Sequence, residues 1–197
     1  MCATSAWWFQ KIERELSIKT HYLWSTDNIM FARKCRLLPI EVVVRGYMTG
    51  STNTSIWPMY KSGKRNMYGI QFRDGYSKNE ALDKVILTPT TKGEVDEPIT
   101  ADEIVKQGYM TQEQWDEVSS NTLRIFKWAQ EVAAERGLIL VDTKYEWGVD
   151  LETGDVTLIE EVNTCDSSRY WLAKTYDERF ADGKEPEKYD KDVVRDH

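Results

Sequence analysis

The chain reads as an α+β protein, and three features of the sequence predict this. A β-branched run, Ile40-Glu41-Val42-Val43-Val44, marks a strand in the first third. A long helical pattern follows between Thr111 and Gly137. Two apolar runs, 138–147 and 156–162, are then joined by a Gly-containing turn, as in an antiparallel hairpin.

Taken in order, residues 5–16 form a short helix, and a loop leads to the strand Leu37-Leu38-Pro39-Ile40-Glu41-Val42-Val43-Val44-Arg45, which ends at Gly46. Met48-Thr49-Gly50-Ser51 is the turn that leaves it. Residues 52–98 are irregular, punctuated by Gly63, Gly69, Gly75, Pro58 and Pro89, and read as functional loop and short strand. Thr111-Gln112-Glu113-Gln114 matches a capping box. Trp115, Val118, Thr122, Ile125, Ala129 and Val132 recur at helical spacing, and Gly137 closes the helix. In the hairpin, a three-residue loop at 152–154 with Gly154 in the left-handed conformation sets the expected register. Beyond Tyr176 the chain is charged and reads as a surface tail.

The 197 residues suffice for one sizeable domain, and no apolar run approaches the roughly 18 residues of a membrane span. No signal-peptide pattern opens the chain, so a cytoplasmic location is expected. A net charge of −7 argues against a general nucleic-acid surface. Cys2, Cys35 and Cys165 lack metal-ligand spacing and suit a reduced compartment. His21 and His197 are the only histidines and neither neighbours a nucleophile, so proton transfer and metal binding fall to carboxylates and lysines.

Strand alternation puts Asp142, Lys144 and Glu146 on one face, and the expected register sets Glu146 opposite Glu160. Facing carboxylates repel unless a cation joins them, and Mg²⁺ with nucleotide phosphates is one such partner. The alternative is an exposed ladder of paired charges, and spacing does not choose between them. Arg45 with the following glycines and the Thr49 and Ser51 hydroxyls reads either as a phosphate cradle or as an ordinary turn. Glu41, a carboxylate among Ile and Val, must be paired or lie at a site. Asp166-Ser167-Ser168-Arg169 is a turn or a helix N-cap. Thr88-Pro89-Thr90-Thr91-Lys92 is a hydroxyl-bearing turn.

Together these segments resemble a known family. Leu38-Pro39-Ile40-Glu41-Val42-Val43-Val44-Arg45-Gly46-Tyr47-Met48-Thr49-Gly50-Ser51 is similar to the first signature of the SAICAR synthetases. Leu140-Val141-Asp142-Thr143-Lys144-Tyr145-Glu146-Trp147-Gly148 resembles the second. Ile159-Glu160-Glu161-Val162-Asn163-Thr164-Cys165-Asp166-Ser167-Ser168-Arg169-Tyr170-Trp171 resembles the third, and Lys92 with Asp96-Glu97 echoes the substrate loop. The resemblance runs from about Trp8 to Asp196. It implies a mostly antiparallel sheet with flanking helices in a single domain, 1–197. Within it, 1–36 is a remnant of the N-terminal lobe and linker, 37–176 the catalytic core and 177–197 the charged tail.

The implied activity is an ATP-dependent ligase of purine biosynthesis that joins L-aspartate to carboxyaminoimidazole ribonucleotide through an acyl phosphate. By the resemblance, Glu146 and Glu160 hold Mg²⁺ and the ATP phosphates, Lys144 stabilises the transferring phosphoryl group and Asp142 orients it. Arg45, Ser51 and Arg169 bind the 5′-phosphate, with Lys92 and Asp166 near the substrate's polar groups. The chain departs from the family pattern at Glu160 (usually Asp), Cys165 (usually Pro) and Val95 (commonly His). Nothing before Ser5 corresponds to the ATP-covering N-terminal lobe, and the C-terminal helices are not seen. Implied partners are the three substrates, with either a homo-oligomeric copy or a separately encoded N-terminal lobe. The competing readings are a phosphoribosyl-ligand binding module without catalysis, and a structural partner of a complete synthetase.

Overall fold

The computed structural model describes residues 2–93 and 95–191. Residues 192–197, with His197 and the end of the charged tail, lie outside the described residues. The element order is α1 (Cys2–Leu16), β1 (Tyr22–Ser25), β2 (Met30–Ala32), β3 (Cys35–Tyr47), α2 (Ile56–Lys61), β4 (Asn66–Met67), β5 (Ile70–Gln71) and β6 (Ala81–Thr91). Then come α3 (Ala101–Lys106), α4 (Gln112–Ala134), β7 (Leu138–Asp150), β8 (Val156–Ile159), β9 (Ser168–Leu172) and α5 (Ala173–Ala181). The class is α+β, as the sequence predicts.

The main sheet runs β6-β3-β7-β8, with β9 also pairing with β7, and every one of these pairings is antiparallel. One face is apolar. Ile40, Val42, Val44, Leu140, Tyr145 and Trp147 pack there against Trp115, Val118, Ile125, Phe126 and Ala129 of α4 and Phe9 and Ile12 of α1. Burying a large aliphatic or aromatic side chain contributes about 1.5–3 kcal/mol, so this layer supplies much of what holds the sheet. The indole N–H of Trp147 donates to Thr122 Oγ1 at 3.2 Å, which satisfies the one polar atom that the buried ring carries inward. The α4 capping box forms as predicted: Thr111 accepts from Gln114 N–H, and Gln114 returns the bond.

The opposite sheet face carries the polar side chains. A second apolar cluster, Met48, Ile56, Tyr60, Met67, Phe72, Tyr76 and Ile86, backs the segment that follows β3. No helix among the described residues is long and apolar enough to cross a membrane.

Two local expectations are corrected. Strand β6 lies within the stretch that reads as irregular. Charged Asp83 and Lys84 break its apolar pattern and Pro89 argues against a strand, yet β6 is the sheet edge, where a missing N–H is tolerated. The hairpin loop is longer by one residue than the 152–154 loop. Asp150 Oδ1 accepts Glu152 N–H at 2.8 Å, and Asp150 N–H bonds Asp155 O, leaving four residues in the loop. Of the two readings for Asp166-Ser167-Ser168 the turn is the one found, and it leads into strand β9 without capping a helix. Pro39 is accommodated where the β3–β7 register shifts between Leu37 and Glu41.

Candidate active site

The central pair β3–β7 sets the site. Its register places Arg45 beside Asp142, Val43 beside Lys144 and Glu41 beside Glu146, and β9 brings Arg169 to the other side of Asp142. Asp142, Lys144 and Glu146 share a face, as alternation predicts. Two ionic units built on buried carboxylates result.

In the first, Asp142 is shared by two guanidiniums. Arg45 Nη1 donates to Oδ2 at 2.9 Å, and Arg169 Nη1 donates to Oδ1 and Oδ2 at 3.0 and 2.7 Å. Arg45 Nε also donates to Thr88 Oγ1 at 2.9 Å. Burial pushes the Arg45 guanidinium below its ordinary pKa, and the Asp142 charge opposes that shift. The carboxylate thus orients both guanidinium forks.

In the second, Lys144 Nζ bridges the facing carboxylates, donating to Glu41 Oε1 and Glu146 Oε1 at 2.7 Å each, while Lys92 also pairs with Glu146. Burial disfavours the Lys144 charge, but its hydrogen bonds to Glu146 and Glu41 outweigh this and raise the ammonium's pKa. Burial likewise raises the Glu146 carboxyl, and Lys144 with Lys92 overcomes this to hold it below its ordinary value. The repulsion expected between opposed acids is relieved here by an ammonium.

These units border a cavity of about 220 Å³. Glu41, Arg45, Asp142, Lys144 and Arg169 lie on its sheet side, Thr52, Thr54 and Ser55 on one wall, and Asp166, Asp190 and Lys191 on another. The sequence-predicted residues therefore divide. Arg45, Asp142, Lys144, Asp166 and Arg169 line the cavity; Glu146 attaches to it through Lys144, and Lys92 through Glu146. Ser51 is exposed and does not line it; its place is taken by Thr52, Thr54 and Ser55.

Glu160 is corrected. The four-residue loop puts Ile159 opposite Glu146, and Glu160 stands exposed past the end of β8 with φ 61°. The facing acid of Glu146 is Glu41, on the other neighbouring strand. The sequence signal for Glu41 was its charge inside an apolar strand. The signal for the cavity-lining Asp190 and Lys191 was hidden, because they sit in what reads as a solvated tail. Asp190 is buried, accepts Tyr170 N–H at 2.8 Å, and so pins that segment to β9, while Lys191 reaches Asp166 at 3.2 Å.

The Mg²⁺ pairing implied for Glu146 and Glu160 does not fit this geometry. The Glu146 carboxylate is held by two ammonium groups, and among the described residues no cluster of three or more His, Cys, Asp or Glu is arranged to hold a metal ion.

Fold and site define a class: an antiparallel α+β protein whose open sheet face presents braced guanidiniums and a lysine-bridged carboxylate pair in one cavity. Comparisons with known proteins bear on the fold and the family. The sequence-family model described as SAICAR synthetase matches residues 1–197. The phosphoribosylaminoimidazole-succinocarboxamide synthase of Legionella pneumophila (strain Lens) is 50% identical over 194 residues, covering 98% of this chain and 61% of its own length. Among solved structures, the SAICAR synthase of Saccharomyces cerevisiae complexed with SAICAR superposes with TM-score 0.78 and 26% identity, covering 98% of this chain and 67% of that one. A SAICAR synthetase (Type-2) in complex with ADP gives TM-score 0.77 at 26% identity, with 98% and 70% covered. The chain belongs to the SAICAR synthetase family, and it spans about three fifths of the length of this curated relative.

Proposed function

We propose that this chain supplies the ribonucleotide-binding and phosphoryl-handling core of an ATP-dependent ligase that makes SAICAR from carboxyaminoimidazole ribonucleotide and L-aspartate. The observation that carries the reading is the convergence of the Asp142-braced Arg45 and Arg169 with the Glu41–Lys144–Glu146 unit on one cavity. Support comes also from the relatives solved with SAICAR and with ADP.

In this reading the 5′-phosphate meets the cavity-lining guanidiniums of Arg45 and Arg169 and the hydroxyls of Thr52, Thr54 and Ser55, with Ser51 at the mouth. Carboxylate oxygen of the ribonucleotide attacks the γ-phosphorus of ATP, the bond to ADP breaks, and an acyl phosphate forms. The amine of aspartate then attacks the carbonyl carbon, phosphate leaves, and the amine loses a proton. Lys144 holds its charge throughout because two carboxylates raise its pKa, so it serves as a fixed cation beside the transferring group and not as a base. Asp142 acts by aiming the two arginines. Asp166 with Lys191 offers a carboxylate and an ammonium to an amino acid that carries both charges. Lys92 holds Glu146 in place.

Magnesium, arriving with the nucleotide, would supply charge neutralisation at the phosphates, while Glu146, held by two ammonium groups, and Glu160, beyond the strand end, are not arranged to share it. A cytoplasmic setting, as for other soluble steps of nucleotide metabolism, belongs to the same reading, as does any homo-oligomeric or separately encoded partner.

The test is ADP release with all three substrates, alongside calorimetric titration of each substrate alone. ADP release that requires both ribonucleotide and aspartate supports the ligase. Ribonucleotide binding without ADP release would replace it with the binding-module reading, and binding of neither substrate would end it.

A further inference from the structure

Asn79 lies outside the cavity, in the turn before β6, and none of the chemistry above uses it. It is 4% exposed and has φ 66°, a conformation that Asn tolerates better than most residues. All four of its polar groups are engaged. Its N–H donates to Met48 O at 2.8 Å and its carbonyl accepts from Tyr176 Oη at 2.7 Å. Its Oδ1 accepts from Thr49 Oγ1 at 2.7 Å, and its Nδ2 donates to Glu185 Oε2 at 3.1 Å.

These partners belong to segments far apart in the chain: the loop after β3, helix α5, and the segment beyond it. A backbone with φ 66° alone would be met by glycine, so the conformation does not explain the amide. The side chain is needed for the two lateral bonds, to Thr49 and to Glu185. Glu185 is itself kept charged there: burial raises its carboxyl, but Lys78 and Asn79 outweigh it and the net shift is downward.

Thr49 is in turn the root of the hydroxyl wall. It is followed by Gly50 at φ 112°, where an added Cβ would stand 2.3 Å from Ser55 Cβ. Ser55 Oγ bonds Thr52 Oγ1 at 2.8 Å, and Thr49 O accepts Trp57 N–H. The loop is folded so closely on itself that moving Thr49 moves Thr52, Thr54 and Ser55 relative to Arg45.

We propose that Asn79 is a positioning residue for the phosphate end of the cavity, tying the hydroxyl wall to the 185 segment so that its distance from Arg45 and Arg169 is set from behind. The proposal rests on the reading of that cavity as the ribonucleotide site.

The experiment compares calorimetric affinities for carboxyaminoimidazole ribonucleotide and for its dephosphorylated riboside. Asn79→Asp keeps an acceptor for Thr49 but sets two carboxylates against each other. It should weaken ribonucleotide binding about tenfold and leave the riboside unchanged. Adding Glu185→Gln exchanges donor and acceptor and should restore most of the affinity. Should Asn79→Asp not fold, Glu185→Ala, at an exposed position, is expected to weaken only the ribonucleotide, about threefold. Equal losses for both ligands, or no loss in a folded variant, would overturn the proposal. A parent chain that binds riboside but gains nothing from the phosphate would overturn the reading of the cavity's phosphate end, and the role of Asn79 with it.

Discussion

Two guanidiniums share the Asp142 carboxylate, and Asp142→Ala takes it from both. Three charge-assisted bonds are lost, at 2.9, 3.0 and 2.7 Å. At about 1.5–3 kcal/mol each they would sum to roughly 5–9 kcal/mol. Arg169 is partly exposed, however, and can turn its fork to water, whereas the Arg45 side chain is 5% exposed and cannot. The cost is therefore close to that of stranding one buried charge, about 3–5 kcal/mol. For a chain of this size that lowers Tm by roughly 6–20 °C, and the urea midpoint should fall with an unchanged slope. Tryptophan fluorescence in urea measures it directly. Removing the stranded charge as well, with Asp142→Ala and Arg45→Met together, should recover part of the loss, because the two effects are coupled. A single-variant cost below about 1 kcal/mol, or strict additivity in the double variant, would refute the shared-carboxylate account.

Other outcomes follow from the same geometry. Glu146 is held below its ordinary carboxyl value, so its contribution to stability is complete above the unfolded value of about 4.3 and is lost as pH falls through the lower folded value. Urea midpoints measured from pH 7 to pH 3 should fall below about pH 4, and Glu146→Gln should flatten that part of the curve. Gly50→Ala combines a φ of 112° with a Cβ contact on Ser55; a loss of about 1–3 kcal/mol is expected, read by thermal denaturation. Lys144→Met leaves Glu41 and Glu146 facing each other with Lys92 still paired to Glu146, and ADP release should fall by at least about a hundredfold if the ammonium stabilises the transferring group.

Much of this protein is legible from local chemistry. The α4 capping box, its apolar stripe and the Asp142-Lys144-Glu146 face depend on neighbours a few residues apart, and each is found as expected. The resemblance in three ordered motifs led to the family that the comparisons support. Tertiary structure decided what depends on distant partners. Edge placement, and not composition, lets Pro89 sit in β6. One Asp150 side-chain bond lengthens the hairpin loop, and because strand side chains alternate, that residue moves Glu160 out of register with Glu146. The partner of Glu146 is instead Glu41, 105 positions earlier in the numbering and adjacent only because β3 pairs with β7. Asp190 and Lys191 look like solvated tail until Tyr170 N–H draws that segment onto β9. Spacing in a sequence specifies which side chains share a face; the pairing of strands specifies which faces meet, and in this chain that pairing makes the site.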